Sequence, residues 1–466
     1  MSEDHEAMRR EYQELVSRRV AEAEARLSWS VEDRRSFTND RLGEFLAFAS
    51  SRSAWHRERL AGIDLGAVSI DDMSSLPTMN KRDLNGNWDA IVTDPDLTLE
   101  VANRHLDDIS ANGFSFALGR YVISATGGST GVRSVIAVDA EAMAGWEAGN
   151  DARARSSRPA DVDMPPVPVM GKLSARNPVH LSAATAVIFS GATNTSVVVP
   201  PSMPMPEGVA VLNNARPDVL VGYPSMLHLM ALESQAGRLR ISPKVAASAG
   251  EPLLPETRHA VRDAFGIDVT NFYGASEAFF ARSWRGSELL HLNDDTVVFE
   301  FVDSDNQPVP VGTRSAKVLI TNLSNRLQPL VRYEITDEVT EAIVDPDSND
   351  PAQHPPGPWA GRWIHPPQGR ADDWFTYGAI VVHPHLFRSE LGADENITEY
   401  QVQQTSRGAH IDIVASGAVD RHALSVAIAD ELRQLGLTDP DVHIDTVDSL
   451  ERHAQSGKLR RFIPKN

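Results

Sequence analysis

Residues 124–131, with the sequence SATGGSTG, contain three glycines and four hydroxyl side chains. The segments on both sides, 121–123 and 132–138, are rich in β-branched residues, which predicts a strand before the loop and a strand after it. Glycine lets the backbone come close to a ligand. Backbone N–H groups together with Ser and Thr hydroxyls are the donors that phosphate oxygens need. This loop therefore predicts a hairpin tip that holds nucleotide phosphates.

Three other interpretations of the loop stay open at this point. It could be a Gly/Ser turn without a ligand. A Walker-type loop needs Lys after the last glycine and then a helix, whereas Val132-Arg133 and a strand follow here. Residues 127–131 also match G-x-S-x-G, the nucleophile elbow of α/β-hydrolases, with Ser129 as the nucleophile. An elbow joins a strand to a helix, and the expected strand-to-strand arrangement argues against that hypothesis.

Length, charge and cysteine content restrict the class of protein. A chain of 466 residues with 41% hydrophobic and 23% charged residues is typical of an enzyme of two or three domains. Its net charge of -20 argues against broad binding to nucleic acid or to an anionic membrane. Because the chain has no cysteine, disulfides and Cys-ligated metals are excluded. The charged N-terminus has no apolar signal region, so we expect a cytoplasmic protein.

The sequence changes character along its length. Residues 1–60 have helical apolar spacing, residues 60–120 are turn-rich and mixed, and strands alternate with helices over 121–340. Within the last range, Asp139 is expected to cap the start of a helix, and another helix is expected at 255–265, ended by Gly266. The Pro-, Gly- and His-rich residues 345–369 cannot form regular structure and are interpreted as an insertion before a domain boundary. The last segment has predicted strands at 375–382, 398–403, 409–414 and 442–447 and a helix at 421–435, typical of a small α+β domain.

Five further motifs follow the loop in a fixed order. They are 250–252 (GEP), 271–277 (NFYGASE), 329–337 (PLVRYEITD), 369–373 (GRADD) and 456–460 (SGKLR). In this order the chain resembles the adenylate-forming superfamily of acyl-CoA synthetases and adenylation domains, especially its phenylacetate–CoA ligase branch. The resemblance implies an α/β fold: a large AMP-binding domain at 1–369, including the entry segment 1–120, and a small mobile α+β domain at 370–466.

The resemblance assigns residues to the phosphates and to the reacting centre. Glu277 would help to coordinate Mg²⁺, which favours carboxylate and phosphate oxygens. Lys458 would stabilise the charge that develops between the carboxylate and the α-phosphate. On the residues alone, Lys458 could equally belong to a solvated basic tail. The β- and γ-phosphates would be held by Gly127, Gly128, Ser129, Thr130 and Gly131.

The same resemblance assigns the nucleoside site and a hinge. Tyr273 would stack on adenine, and Asp337 would accept hydrogen bonds from the ribose hydroxyls. Arg370 would reach the ribose or the phosphate, and Asp372 would be the hinge, near 370–374, about which the small domain rotates. The remaining nucleotide-binding residues are Gly250, Glu251, Asn271, Gly274 and Ser276.

The acid pocket is less defined by the sequence. By resemblance it would be bordered by Gly222, Tyr223 and His180. One aromatic ring suits an aryl or medium-sized apolar acid. A zinc site at His383 and His385 is not expected, because no Asp or Glu lies in register with them.

Together these motifs predict a ligase that uses ATP and Mg²⁺ to convert a carboxylic acid into an acyl-AMP and then transfers the acyl group. Coenzyme A is the expected acceptor, with an amine or a carrier-protein thiol as the alternative. A Ser129 hydrolase and a nucleotide-binding sensor without turnover are the competing functions. We expect no nucleic-acid or membrane partner, and the protein could form a homodimer.

Overall fold

The computed structural model describes most of the chain, and none of the helices in this part combines the length and apolar character needed to cross a membrane. The described residues are 3–125, 134–158, 160–174, 178–189, 195–344, 359, 361–367, 374–378, 380–382, 384–391, 394, 396–452 and 459–465.

The N-terminal part is helical, as its apolar spacing predicts. The residues at that spacing are all buried: Leu15, Val16, Val20, Ala23 and Leu27. They face the main core, which shows that this helix is an integral part of the large unit. The first helices are α1 (Glu3–Leu27), α2 (Val31–Arg52) and α3 (Ala54–Arg59), followed by a short 3-10 turn (Leu65–Ala67), α4 (Lys81–Gly86), α5 (Trp88–Ile91) and α6 (Leu99–Asn112).

Residues 60–120 combine turns with helices, in keeping with the mixed character expected there, and α6 is the longest helix in this range. Thr98 caps this helix, since its hydroxyl accepts the Val101 N–H at 3.2 Å. Ala102, Leu106 and Ile109 are spaced at helical intervals and are fully buried. The charged residues between them are exposed. Because these charged residues are numerous, the helical spacing of the apolar residues is hard to recognise in the sequence.

The predicted hairpin is present. Strands β1 (Val122–Ala125) and β2 (Val135–Val138) pair in antiparallel register, with Ala125 opposite Val135. Helix α7 (Ala140–Ser156) follows at once and begins at the predicted cap, where the Asp139 carboxylate accepts the Ala142 N–H at 2.8 Å. The tip between the strands lies outside the described residues, but its two ends are fixed by the strand pair.

A large mixed sheet forms the centre of the molecule, with the strand order β13-β9-β8-β7-β6-β5-β3-β4. The strands from β7 through β6, β5 and β3 to the edge strand β4 are parallel, and helices cross between them as the alternating pattern predicts. The predicted helix at 255–265 has those bounds and ends at Gly266, whose φ of 70° suits glycine. The elements are β3 (Val169–Leu173), α8 (Leu181–Ile188), β4 (Thr195–Val198), α9 (Met205–Ala215), β5 (Val219–Gly222), α10 (Pro224–Gln235), β6 (Val245–Ala249), α11 (Pro255–Phe265), β7 (Val269–Gly274), β8 (Phe279–Ser283), β9 (Leu290–Leu292) and β13 (Trp363–Ile364).

Strand β13 corrects the expectation that residues 345–369 hold no regular structure. Trp363 and Ile364 pair antiparallel with β9 at the edge of the sheet, and both side chains are buried. Burial of these two apolar side chains stabilises the strand despite the prolines nearby in the sequence. A second antiparallel sheet lies between β9 and β13 in the chain and consists of β10 (Val297–Val302), β11 (Lys317–Asn322) and β12 (Tyr333–Ile335).

The C-terminal unit is a smaller α+β layer with its own core, as predicted. A four-stranded sheet of order β18-β17-β16-β19 packs its apolar face on helix α13. The tail is not a free basic segment throughout, because Phe462 is buried and β19 pairs with β16. Its elements are β14 (Phe375–Tyr377), β15 (Ile380–Val382), α12 (His385–Leu391), β16 (Ile397–Gln404), β17 (Gly408–Ala415), α13 (Arg421–Gln434), β18 (Asp441–Thr446) and β19 (Phe462–Ile463).

Candidate active site

The carboxyl ends of β5, β6 and β7 lie side by side at one edge of the central sheet. Residues selected from the sequence follow directly: Tyr223 after β5, Gly250 and Glu251 after β6, and residues 275–277 after β7. In open sheets of this kind, ligands bind in the crevice outside the carboxyl ends of the parallel strands. The fold thus brings three separate motifs to the place where a ligand is expected.

One hydrogen bond joins the predicted adenine and ribose residues. The Tyr273 hydroxyl donates to Asp337 Oδ2 at 2.9 Å. The Tyr273 ring is half-buried and meets Phe280 edge-to-face, with ring centroids 5.1 Å apart. An ionised carboxylate has about four acceptor positions, so this bond leaves Asp337 able to accept from ribose hydroxyls.

Glu277, the predicted magnesium ligand, is buried next to a second tyrosine. Its Oε1 accepts the Tyr333 hydroxyl at 3.3 Å, and its backbone oxygen accepts the Asn322 amide at 2.7 Å. Burial, followed by the Glu277 charge, raises the pKa of Tyr333 well above its usual range, so the phenol stays protonated and donates. Ser134, the first described residue after the loop, also approaches the Tyr333 hydroxyl.

These surroundings fit a magnesium ion bound partly by phosphate. Mg²⁺ that is bound together with a nucleotide takes one or two protein carboxylates, and substrate phosphates and water supply its other ligands. The described residues could therefore hold the ion through Glu277, with phosphate oxygens and water as the other ligands.

The hairpin that carries the loop is anchored by side chains along β2. Gln328 accepts the Ala137 N–H at 3.1 Å and donates to the Val135 oxygen at 3.2 Å, as a neighbouring strand would. Asn325 and Trp88 donate to the Ala137 and Val135 oxygens, both at 2.9 Å. These bonds satisfy a strand edge that would otherwise be buried without partners, and they fix the loop's exit next to Glu277.

Glu251 connects the sheet edge with the C-terminal unit. Its two carboxylate oxygens accept the Ser225 N–H at 3.1 Å and the Leu459 N–H at 2.8 Å. The sequence analysis predicts that Glu251 lies along the nucleotide. In the structure, its carboxylate instead accepts a hydrogen bond from Leu459, the residue that follows Lys458.

Arg452 forms a second connection, which the sequence did not predict. Its guanidinium donates to Ser225 Oγ at 3.0 Å and to Glu399 Oε1 at 2.6 Å. Burial raises the pKa of Glu399, while the Arg452 charge lowers it. A lone arginine in a loop carries no sequence signal for such a contact, because its partners come from α10 and β16.

Four other selected residues are structural in part. Gly222 lies against β3, where a Cβ would be 2.2 Å from the Leu173 oxygen, so only glycine allows this approach. Asn271 is 5% exposed and accepts the Ser248 hydroxyl at 3.1 Å inside the sheet. Tyr223 is buried at the start of α10, and His180 precedes α8. Their role as pocket and nucleotide residues stays a prediction.

Several predicted residues lie outside the described part of the chain. They are Gly127, Gly128, Ser129, Thr130, Gly131, Arg370, Asp372 and Lys458. Both neighbours of the loop are strands of one antiparallel pair. This removes the strand-to-helix turn on which the Ser129 hydrolase hypothesis depends.

Residues 126–315 match the family of AMP-binding enzymes. No curated protein matches the chain significantly. Among solved structures, 2-hydroxyisobutyryl-CoA ligase in the postadenylation state with R3-HIB-AMP has a TM-score of 0.69 and 17% identity, covering 94% of this chain and 91% of that chain.

The same ligase with 2-HIB-AMP and CoA in its thioesterification state has a TM-score of 0.56 and 19% identity, covering 94% of this chain and 91% of that one. These similarities extend over both the large and the small unit. The chain therefore has the fold of this CoA ligase, and its residues 126–315 match the model of the AMP-binding enzyme family.

Proposed function

We propose that this protein activates a carboxylic acid with ATP and transfers the resulting acyl group to a thiol, with coenzyme A as the first candidate. The observation that carries the proposal is the convergence of Tyr273, Asp337 and Glu277 at the carboxyl edge of the sheet, beside the anchored hairpin. An aryl or medium-sized apolar acid is the proposed substrate. Its assignment rests on the resemblance of residues 222–223.

The first half-reaction joins a carboxylate oxygen of the acid to the α-phosphorus of ATP, and pyrophosphate leaves. Asp337 would hold the ribose, Tyr273 the adenine, and Glu277 the magnesium ion that neutralises phosphate charge. Lys458 would stabilise the charge on the transferring oxygens. In the second half-reaction the acceptor thiolate attacks the acyl carbon, and AMP leaves.

The contacts of Glu251 and Arg452 support a proposal about domain arrangement. They hold the backbone next to Lys458 at the sheet edge, where adenylation would take place. The higher TM-score with the postadenylation state than with the thioesterification state, 0.69 against 0.56, agrees with this arrangement. We propose that the unit after residues 370–374 then rotates about Asp372, which would withdraw Lys458 and admit the acceptor.

Acid-dependent exchange of labelled pyrophosphate into ATP tests the first half-reaction. With Mg²⁺ and a panel of aryl and short aliphatic acids, we expect exchange with at least one acid. Lys458→Ala should lower the rate about 10²- to 10³-fold, the range found when one transition-state donor is removed. Bound ATP without exchange across the panel would favour a sensor, and native exchange by Lys458→Ala would remove that residue's role.

The acceptor is tested separately with purified acyl-AMP of the acid that supports exchange. Coenzyme A, simple amines and a carrier-protein thiol are offered in parallel, and the products are identified by mass. Thioester formation with coenzyme A at the highest kcat/KM is expected. Faster amide formation would instead assign the chain to the amide ligases without altering the adenylation step.

A further inference from the structure

Four side chains of the types that bind metals lie together on the C-terminal unit, and none of them is among the residues assigned to catalysis. His410 and Asp412 are two residues apart on β17, and His443 and Asp445 are two apart on β18. The two parallel strands place His410 opposite His443 and Asp412 opposite Asp445. Because side chains alternate along a strand, all four emerge on one face.

That face is the one turned away from the small core. The intervening residues Ile411, Ile413 and Ile444 are buried in the core of this unit. The four polar side chains are partly open, from 21% exposed for Asp412 to 67% for His443. The cluster is therefore accessible to a dissolved ion and rests on a rigid sheet.

The donor atoms already point toward one another. Asp445 Oδ2 is 3.2 Å from His443 Nε2 and 3.7 Å from His410 Nε2, and Asp412 Oδ1 is 3.3 Å from His410 Nε2. The ring centroids of the two histidines are 5.4 Å apart at an interplanar angle of 25°. One donor from each of His410, His443 and Asp445 can be chosen so that all three lie within 4.8 Å of one another.

We propose that His410, His443 and Asp445 form a binding site for a divalent transition metal of the zinc class, with Asp412 as a fourth or hydrogen-bonding carboxylate. Zinc binds imidazole nitrogen at about 2.0–2.1 Å and carboxylate oxygen at about 2.0–2.2 Å, so tetrahedral donors lie roughly 3.4 Å apart. Asp445 Oδ2 lies 3.2 and 3.7 Å from the two histidine nitrogens, which is close to that separation.

The carboxylates of Asp412 and Asp445 favour a cation at this face, while the charge of Arg421 opposes it. Arg421 approaches the other carboxylate oxygen, with 4.0 Å between its guanidinium and Asp445 Oδ1, and leaves Oδ2 toward the histidines. The chain's net charge of -20 also attracts cations. Two imidazoles distinguish this site from the oxygen-only sites that suit Mg²⁺.

Such a metal would fasten the edge strand β18 to β17. An ion that binds only the folded state stabilises it by RT ln(1 + [L]/Kd). The proposal is independent of adenylation, since none of the four residues is assigned to nucleotide or acid binding.

Cobalt(II) titration of the full, tag-free protein tests the site. We expect one equivalent of tightly bound Co²⁺ with the visible absorption of a tetrahedral centre, displaced by Zn²⁺. His443→Ala and His410→Ala should each lose this band and weaken binding at least tenfold. His259→Ala, an exposed histidine on α11, is the matched control and should keep it.

Thermal unfolding gives a second readout. Stoichiometric Zn²⁺ should raise the Tm of the native protein and of His259→Ala, but not of His443→Ala. Because His443 is largely exposed, its loss should leave the metal-free Tm unchanged, which separates binding from folding. The same Co²⁺ spectrum in all variants, or no visible band at one equivalent, would overturn the proposal.

Discussion

Tyr273 and Asp337 come from motifs 64 residues apart and meet in a single hydrogen bond. The bond ties the phenol ring at the end of β7 to the carboxylate that follows β12. At the scale of the residue, the proposed nucleoside site would thus be partly assembled by its own side chains before a nucleotide binds.

Tyr273→Phe should keep the ring and lose the bond to Asp337. A hydrogen bond to a charged group contributes about 1.5–3 kcal/mol, so we expect the KM for ATP in pyrophosphate exchange to rise about 10- to 100-fold. Tyr377→Phe removes a hydroxyl that donates to the Gly408 oxygen in the C-terminal unit and is the matched control. An unchanged KM for ATP in Tyr273→Phe would mean that the bond does not position the nucleotide.

Glu147 predicts a pH dependence of stability. Burial raises the pKa of this carboxyl on α7 to about 7, with Asp151 adding to the shift and Lys172 opposing it. Because the folded-state pKa is raised, the stabilisation is complete below the ordinary value near 4.5 and is lost as the pH rises through 7. Glu147→Gln should therefore raise the Tm more at pH 8.5 than at pH 5.

The expected difference in the free energy of unfolding is about 1–3 kcal/mol, from roughly 1.4 kcal/mol per pKa unit. Differential scanning calorimetry of both proteins across this pH range measures it. Glu24→Gln, an exposed glutamate on α1, should show no such pH-dependent gain. Equal gains for Glu147→Gln at both pH values would contradict the assigned pKa.

At the scale of the element, side chains make hydrogen bonds that a neighbouring strand would otherwise make to the hairpin. Side chains also connect the two units. Gln328 and Asn325 bond to β2 along the edge where a third strand would pair. Glu251 joins α10 to the C-terminal tail in the same way.

Gln328→Leu should destabilise the hairpin. The buried Ala137 N–H would lose its acceptor, which costs about 1–3 kcal/mol for a buried group left unsatisfied, whereas the Val135 oxygen keeps its bond from Trp88. Urea unfolding should show a lower midpoint with an unchanged slope. Gln307→Leu, on an exposed loop, is the control, and equal midpoints for the two variants would show that β2 does not need this side chain.

Glu251→Ala should slow adenylation more than transfer. It removes the acceptor for the Leu459 N–H, so Lys458 would be held less often at the sheet edge. We expect pyrophosphate exchange to fall about tenfold, because one charge-assisted hydrogen bond is lost in the adenylating arrangement. Thioester formation from added acyl-AMP should change less than twofold, because that step uses the other arrangement. Glu256→Ala on α11 is the control; an equal loss in both half-reactions would contradict this role.

At the scale of the whole molecule, two units of different size meet, in the described residues, through polar contacts such as those of Glu251 and Arg452, and a polar contact between units suits alternation between arrangements. The absence of native cysteine makes this directly measurable. Donor and acceptor dyes at Glu207→Cys and Ser406→Cys, one on each unit, should change transfer efficiency when coenzyme A is added to the acyl-AMP complex. A dye pair at Glu24→Cys and Glu207→Cys should show no change in transfer efficiency, because both positions lie on the large unit. Constant efficiency in every ligand state would exclude the proposed rotation.

The sequence predicted the hairpin, the alternating strands and helices, and helix α11 with its Gly266 end, because each depends on local spacing and turn chemistry. It could not predict that β13 adds to the sheet edge, since Trp363 and Ile364 are buried by residues far away in the chain. In the site, Tyr273, Asp337 and Glu277 were found through motifs. The contacts of Arg452 and Glu251 were not, because they depend on how two units meet.

Under the proposed function, Gly222 limits how the acid specificity could be re-engineered. Any side chain there would collide with the Leu173 backbone oxygen, so a saturation library at position 222 should return mostly unfolded protein rather than new substrate preferences. The close approach of β5 to β3 thus separates a position that selection must conserve from the next one, Tyr223, which already carries a side chain and can be varied.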